Sequence, residues 1–240
     1  MKSLVEEPLR GSGMSEDAGL EDVEMPEPDE VPRRLGELGL SIGLLRDAVR
    51  RGQNAADFCT ASHPVFYPGT VAYAETVAGL RDATAALGWT FDDQENIPRT
   101  VSPDGAVVLT AVSGNQHTGM RSGAAAQTKR PRGAAGMRIV RRNGQLEFQE
   151  LLPADERALG AGEVVTLGPM WFLLFFRDGD TVRSELSCAR GVSDTGSLIV
   201  WRERLILPDV DLLDAPTPGG GVRPDDGGPE VVVPVVRRSA

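Results

Sequence analysis

The chain has 240 residues, 40% of them apolar, and a formal net charge of −10. That balance excludes a protein that coats nucleic acid or acidic membranes over its whole surface, and two cysteines are too few for a disulfide scaffold. No apolar run approaches the roughly 18–20 residues of a membrane span, and MKSLVEEPLRG has no signal-like apolar stretch, so a cytoplasmic setting with reduced thiols is expected.

Residues 1–34 carry ten acidic residues against four basic ones and no aromatic. Such a stretch buries too little apolar surface to offset its ordering entropy, so it reads as a disordered acidic tail. A single α+β domain is expected over 35–213. It opens helical: Leu35, Leu38, Ile42, Leu45 and Val49 recur at steps of three and four. Gly36, Gly39 and Gly43 weaken that stripe and move the expected start to Ser41, a good N-cap. Asn54 would cap a short second helix, and Pro64 and Pro68 force an irregular connection. A third helix is expected from a Thr70 cap, through Tyr73, Val77, Leu80, Thr84 and Leu87, to a stop at Gly88.

After Trp89 the period becomes two. IPRTV and AVVLTAV flank the turn SPDG as a hairpin. Residues 113–136 form a flexible, basic, Gly/Ala-rich loop without periodicity. MRIVRR and QLEFQEL flank Asn143-Gly144, the strongest short hairpin signal. ADERAL suggests one helical turn, and EVVTL, WFLLFF, TVRSELSCA and SLIVWRERLIL four more strands. The expected architecture is N-terminal helices packed on a largely antiparallel sheet of about six to eight strands. Residues 214–230 read as a Pro/Gly linker, and 231–240 as an apolar C-terminal peptide able to add to a sheet edge.

In the hairpin around Asp178-Gly179, a two-residue turn pairs Phe175 with Val182, Leu173 with Ser184 and Trp171 with Leu186 on one face. The other face carries Phe172, Leu174 and Phe176 opposite a charged strand. A helix from residues 35–87 is expected to cover them; a partner surface is the alternative.

Motifs for chemistry are sparse. No G-x-S-x-G elbow, phosphate loop or dinucleotide fingerprint is present, so no cofactor is expected. Cys59, His63, His117 and Cys188 offer only one close, mixed pair, which is poor spacing for zinc, so no metal is expected. His117 in SGNQHTG lacks a defined nucleophile or carboxylate partner. Asp194 lies in Asp-Thr-Gly, the tripeptide of aspartic proteases, but follows a loop composition, and no second copy exists.

Charge is more informative. Residues 105–146 contain no acid and hold Arg121, Lys129, Arg130, Arg132, Arg138, Arg141 and Arg142, a block of +7. Arginine forks on a glycine-rich arm suit phosphates, although no aromatic lies between Phe91 and Phe148 to stack bases. The leading expectation is therefore a non-enzymatic binding or adaptor protein. Its basic arm would contact a nucleic-acid backbone or an acidic protein, with the acidic tail as a competing occupant and no membrane partner. The alternative is an enzyme using His117 or Asp194 in a cleft beside the sheet.

Overall fold

The computed structural model describes residues 23–151, 167–192 and 197–214. Three helices come first, α1 (Val31–Glu37), α2 (Ile42–Asp57) and α3 (Tyr67–Ala85). Short strands β1 (Thr90–Asp92) and β2 (Arg99–Val101) lead to β3 (Val108–Ser113). Then follow α4 (Ala134–Leu151), β4 (Met170–Asp178), β5 (Thr181–Val192), β6 (Leu198–Ile206) and β7 (Val210–Asp211). The fold is α+β, with one seven-stranded sheet ordered β1-β2-β3-β4-β5-β6 and β7 paired to β5. Every pairing is antiparallel except β3 with β4. A parallel pair needs a long crossover, and here the crossover carries the basic loop and α4.

The helices form where local chemistry directs. Ser41 takes an extended conformation, and its hydroxyl accepts from Leu44 N at 3.3 Å, starting α2 as expected. The helix then runs through Asn54 without stopping. Helix α3 begins three residues before Thr70, because Pro68 fits a first turn that has no use for its N–H. Gly88, at φ 80°, ends that helical region.

Helices α2 and α3 cross with almost no side chain between them. A Cβ on Gly52 would lie 2.1 Å from Thr76 Oγ1 and 2.4 Å from the Ala72 carbonyl oxygen. Gly52→Ala is therefore expected to cost about 1–3 kcal/mol, as overpacked cores do, measured by urea denaturation. An unchanged midpoint would show that the crossing can open.

Two cores result, one on each sheet face. On the first, Trp171, Leu173 and Phe175 pack with Leu186 and Cys188 beneath α1–α3. On the second, Phe172 and Leu174 pack with Trp201 and Val140, the latter from α4. The expected face assignment of β4 is the observed one, although the register differs. Phe175 pairs with Ser184 and Asp178 with Thr181, so the turn is Gly179-Asp180. Gly179 has φ 62°, which suits the first turn position. A slip of two residues preserves the faces because side chains alternate with period two.

Three expectations are corrected. Asn143-Gly144 is no turn, and the two flanking segments read as strands are the single helix α4. Asn143 is buried: its amide donates to the Met170 and Ala189 carbonyl oxygens, each at 2.9 Å, and its Oδ1 accepts from Met170 N at 2.9 Å. An asparagine that satisfies strand ends looks, in sequence, like one that makes a turn. Second, α4, with the loop before it, covers the second face; helices 35–87 cover the first. Phe172 and Leu174 are 1% and 0% exposed, so neither forms an open partner surface, while Phe176 is half-buried with the Arg183 guanidinium 5.2 Å from its ring centroid. Third, folded structure begins before residue 35. Glu24 bridges to Glu203 on the edge of β6, and Arg34 of α1 donates to Glu203 at 2.6 and 2.8 Å. Those bonds to buried Glu203 raise the Arg34 pKa.

Residues 1–22, the ADERAL segment, most of EVVTL, Asp194 and residues 215–240 lie outside the described residues. No helix among the described residues is long and apolar enough to cross a membrane.

Candidate functional site

The basic block does not form a free arm. Its first part, 114–130, folds against the second sheet face, with Thr118, Ala126 and Thr128 buried. Glu185, on that face, takes Arg204 Nε at 3.0 Å and Nη2 at 2.6 Å, Ser187 Oγ at 2.9 Å and Gly119 N at 2.8 Å. Arg204 Nη2 also donates to the Met120 carbonyl oxygen at 3.1 Å, and Trp201 Nε1 to that of Ala126 at 2.8 Å. The charged strand opposite Phe172, Leu174 and Phe176 is thus explained. Glu185 seats the loop, and Arg183 lies over Phe176.

The seven basic residues go to different places. Arg121 donates to the Pro26 and Met25 carbonyl oxygens at 2.8 and 3.3 Å and pairs with Glu27 at 3.4 Å. Arg138 pairs with Glu95 at 2.8 Å, and Arg142 donates to the Leu167 carbonyl oxygen. Burial holds the Arg132 and Arg142 guanidiniums below their ordinary pKa, which marks them as drawn into the fold. Lys129, Arg130 and Arg141 are exposed.

A different surface stands out. The α2–α3 connection and the first residue of α3 expose Phe58 (85%), Val65 (101%), Phe66 (63%) and Tyr67 (39%). His63 stacks on Tyr67 with ring centroids 4.9 Å apart and planes 6° apart. Its Nδ1 accepts from Thr60 N at 3.0 Å. Pro64 and Pro68 bracket the apolar triplet and keep it out of a regular, buried element. Scattered apolar residues on a surface are ordinary, whereas several large ones exposed on one connection are the kind of feature that contact surfaces use.

Beside this loop lies an open groove of about 280 Å³ at the carboxyl ends of β3 and β4. Its floor includes Phe175, Phe176 and Ala72, and its polar lining Gln53, Asp57, Lys129 and Arg177. Gln53 belongs to the buried face of α2 and is 4% exposed. Lys129 is placed by backbone bonds: its N donates to the Ser113 carbonyl oxygen at 2.8 Å, beside the Gly114–Thr128 bridge. Arg177 pairs with Asp57 and donates to the Gly179 carbonyl oxygen at 2.9 Å.

Of the enzymatic candidates, His117 is half-buried in the covering loop. Its ring lies 3.3 Å from the neighbouring Gln116 amide, and its backbone N donates to Asn115 Oδ1 at 3.1 Å. Among the described residues, neither a carboxylate nor a nucleophile bonds its ring. Cys188 faces the first core from β5, while Cys59 and His63 lie in the exposed loop; no three His, Cys, Asp or Glu side chains among the described residues gather as a metal site.

The apolar loop and Gln53 escaped the sequence reading. Val65-Phe66-Tyr67 between two prolines was a usable signal, since three large apolar residues there have no periodic face to join. Gln53 gave no signal, because one glutamine in an amphipathic helix looks like solvated surface. Comparison with family models, with curated proteins and with solved structures finds no match to this chain.

Proposed function

We propose that this chain is a non-enzymatic binding protein whose contact face is the 58–67 loop with its adjoining groove. Its partner is a protein segment that presents apolar side chains next to a carboxylate. The observation that carries this reading is the exposure of Phe58, Val65 and Phe66 at 85%, 101% and 63% on one connection, whereas the other exposed large apolar residues among the described ones, such as Phe91 and Leu213, stand on separate segments. Covering one such side chain is worth about 1.5–3 kcal/mol, and aromatic anchors of this kind dominate interface energetics. The carboxylate is argued from charge, because among the described residues Lys129 and Arg177 line the groove against one acid, Asp57. Dispersal of the basic block favours an acidic protein over a nucleic-acid backbone, which needs several guanidiniums along one track.

The test is affinity capture with the full chain as bait, with and without nuclease, comparing wild type with Phe58→Ser/Phe66→Ser. Exposed positions of this kind usually change stability by no more than about 0.5 kcal/mol, which thermal denaturation checks. The expected result is a protein held by wild type, insensitive to nuclease and lost from the variant. Capture that survives in the variant, or that nuclease abolishes, overturns the reading. So does a homodimer that the variant dissolves in sedimentation.

A further inference from the structure

We infer that the groove at the carboxyl ends of β3 and β4 is a carboxylate-binding pocket, with Gln53 and Lys129 as its polar contacts. The inference deepens the binding reading and rests on it only for the source of the carboxylate, an acidic side chain of the partner segment.

Gln53 is the central observation. It lines the groove, is 4% exposed, and its side-chain amide makes no hydrogen bond to any described residue. The amide atoms are not sealed off from solvent, so they remain open to a hydrogen-bond partner in the groove. Lys129 has no ion pair with a described residue and stands on the same lining, whereas Arg177 is already committed to Asp57 and Gly179. A carboxylate engages both, as an acceptor for the Gln53 N–H and a counter-charge for Lys129.

The backbone adds to this. In the first turn of α3, Tyr67 N donates to the Pro64 carbonyl oxygen and Thr70 N to that of Phe66, and Pro68 has no N–H. Gly69 is left as the first-turn amide beside the groove, at the helix end that favours negative charge. Crevices outside the carboxyl ends of parallel strands are also where open sheets flanked by helices bind ligands. The apolar floor of Phe175, Phe176 and Ala72 suits the short alkyl stem of the same ligand. At about 280 Å³ the space lies just under the ~300–1,000 Å³ of small-molecule pockets, which fits one acidic side chain and not a larger metabolite.

The experiment is a ¹H–¹⁵N NMR titration of the full chain with hexanoate and, separately, with its neutral counterpart hexanamide. Hexanoate is expected to give saturable shifts at Gln53, Gly69 and Gly114. Hexanamide, and hexanoate on Lys129→Ala, should bind about tenfold more weakly, the loss of one charge-assisted contact. Lys129 is exposed, so its variant folds; Gln53→Met gives a second reading on the amide. Equal binding of both probes, no change in Lys129→Ala, or shifts away from the groove overturn the pocket. If hexanoate fails while Phe58→Ser/Phe66→Ser still abolishes capture, the pocket falls and the binding surface stands. The opposite pair of results removes the surface and keeps the pocket.

Discussion

Arg204→Met is expected to lower stability by about 3–5 kcal/mol, the cost of leaving one charge of a buried pair uncompensated. Glu185 and Arg204 are 0% and 3% exposed and bonded at two points. Without the guanidinium, Glu185 keeps Ser187 Oγ and Gly119 N as donors, and among the described residues its charge has no cationic partner in a low-dielectric site. Arg204 also holds the loop directly through the Met120 carbonyl oxygen, so hydrogen exchange at Gly119 and Met120 should accelerate beyond the global change. Glu185→Gln added to Arg204→Met should restore more than half of the loss, because the glutamine oxygen still accepts from Gly119 N while its NH2 can donate to the Ser187 hydroxyl, without a buried charge. A loss below about 1 kcal/mol in the single variant would place this pair among exposed, weakly contributing ion pairs.

Leu174→Glu is expected to abolish cooperative folding. Leu174 is 0% exposed, flanked by Val112 on β3 and directly opposite Glu185 on β5. The new carboxylate would be buried and would face a like charge across the strand pair. The combined cost exceeds about 4–5 kcal/mol, a large share of the stability of any single domain. Far-UV circular dichroism and thermal denaturation should show no folded baseline, whereas Phe176→Glu, half-buried at the groove, should keep one. A folded Leu174→Glu protein that had merely lost a partner would restore this face as an interface.

These two substitutions also show how far the sequence could be read. Fold class and the two faces of β4 were legible, because a six-residue apolar run ending at Asp178-Gly179 constrains strand, turn and alternation together. Helix α4 was not. Met137-Arg138-Ile139 starts like the alternation of a strand, and Asn143-Gly144 supplies a false turn. Helical spacing was nevertheless present: Ala135, Ile139 and Asn143 recur at steps of four, and the first two pack on the second core while the third is buried. Tertiary burial decided between the two periods, and no local window contains it. The basic block misled for a related reason. Charge counts do not show where a guanidinium finds a carbonyl, and Arg121 and Arg142 both find one. The site itself was least legible. Exposure of Phe58 and Phe66 is a property of the packed structure, and the isolation of the Gln53 amide emerges only once its neighbours are placed.

The most direct measurement is the capture comparison between wild type and Phe58→Ser/Phe66→Ser, run with nuclease. A protein retained by wild type and absent from the folded variant is the predicted result. Equal capture by both, or capture that depends on nucleic acid, would contradict a contact face on the 58–67 loop.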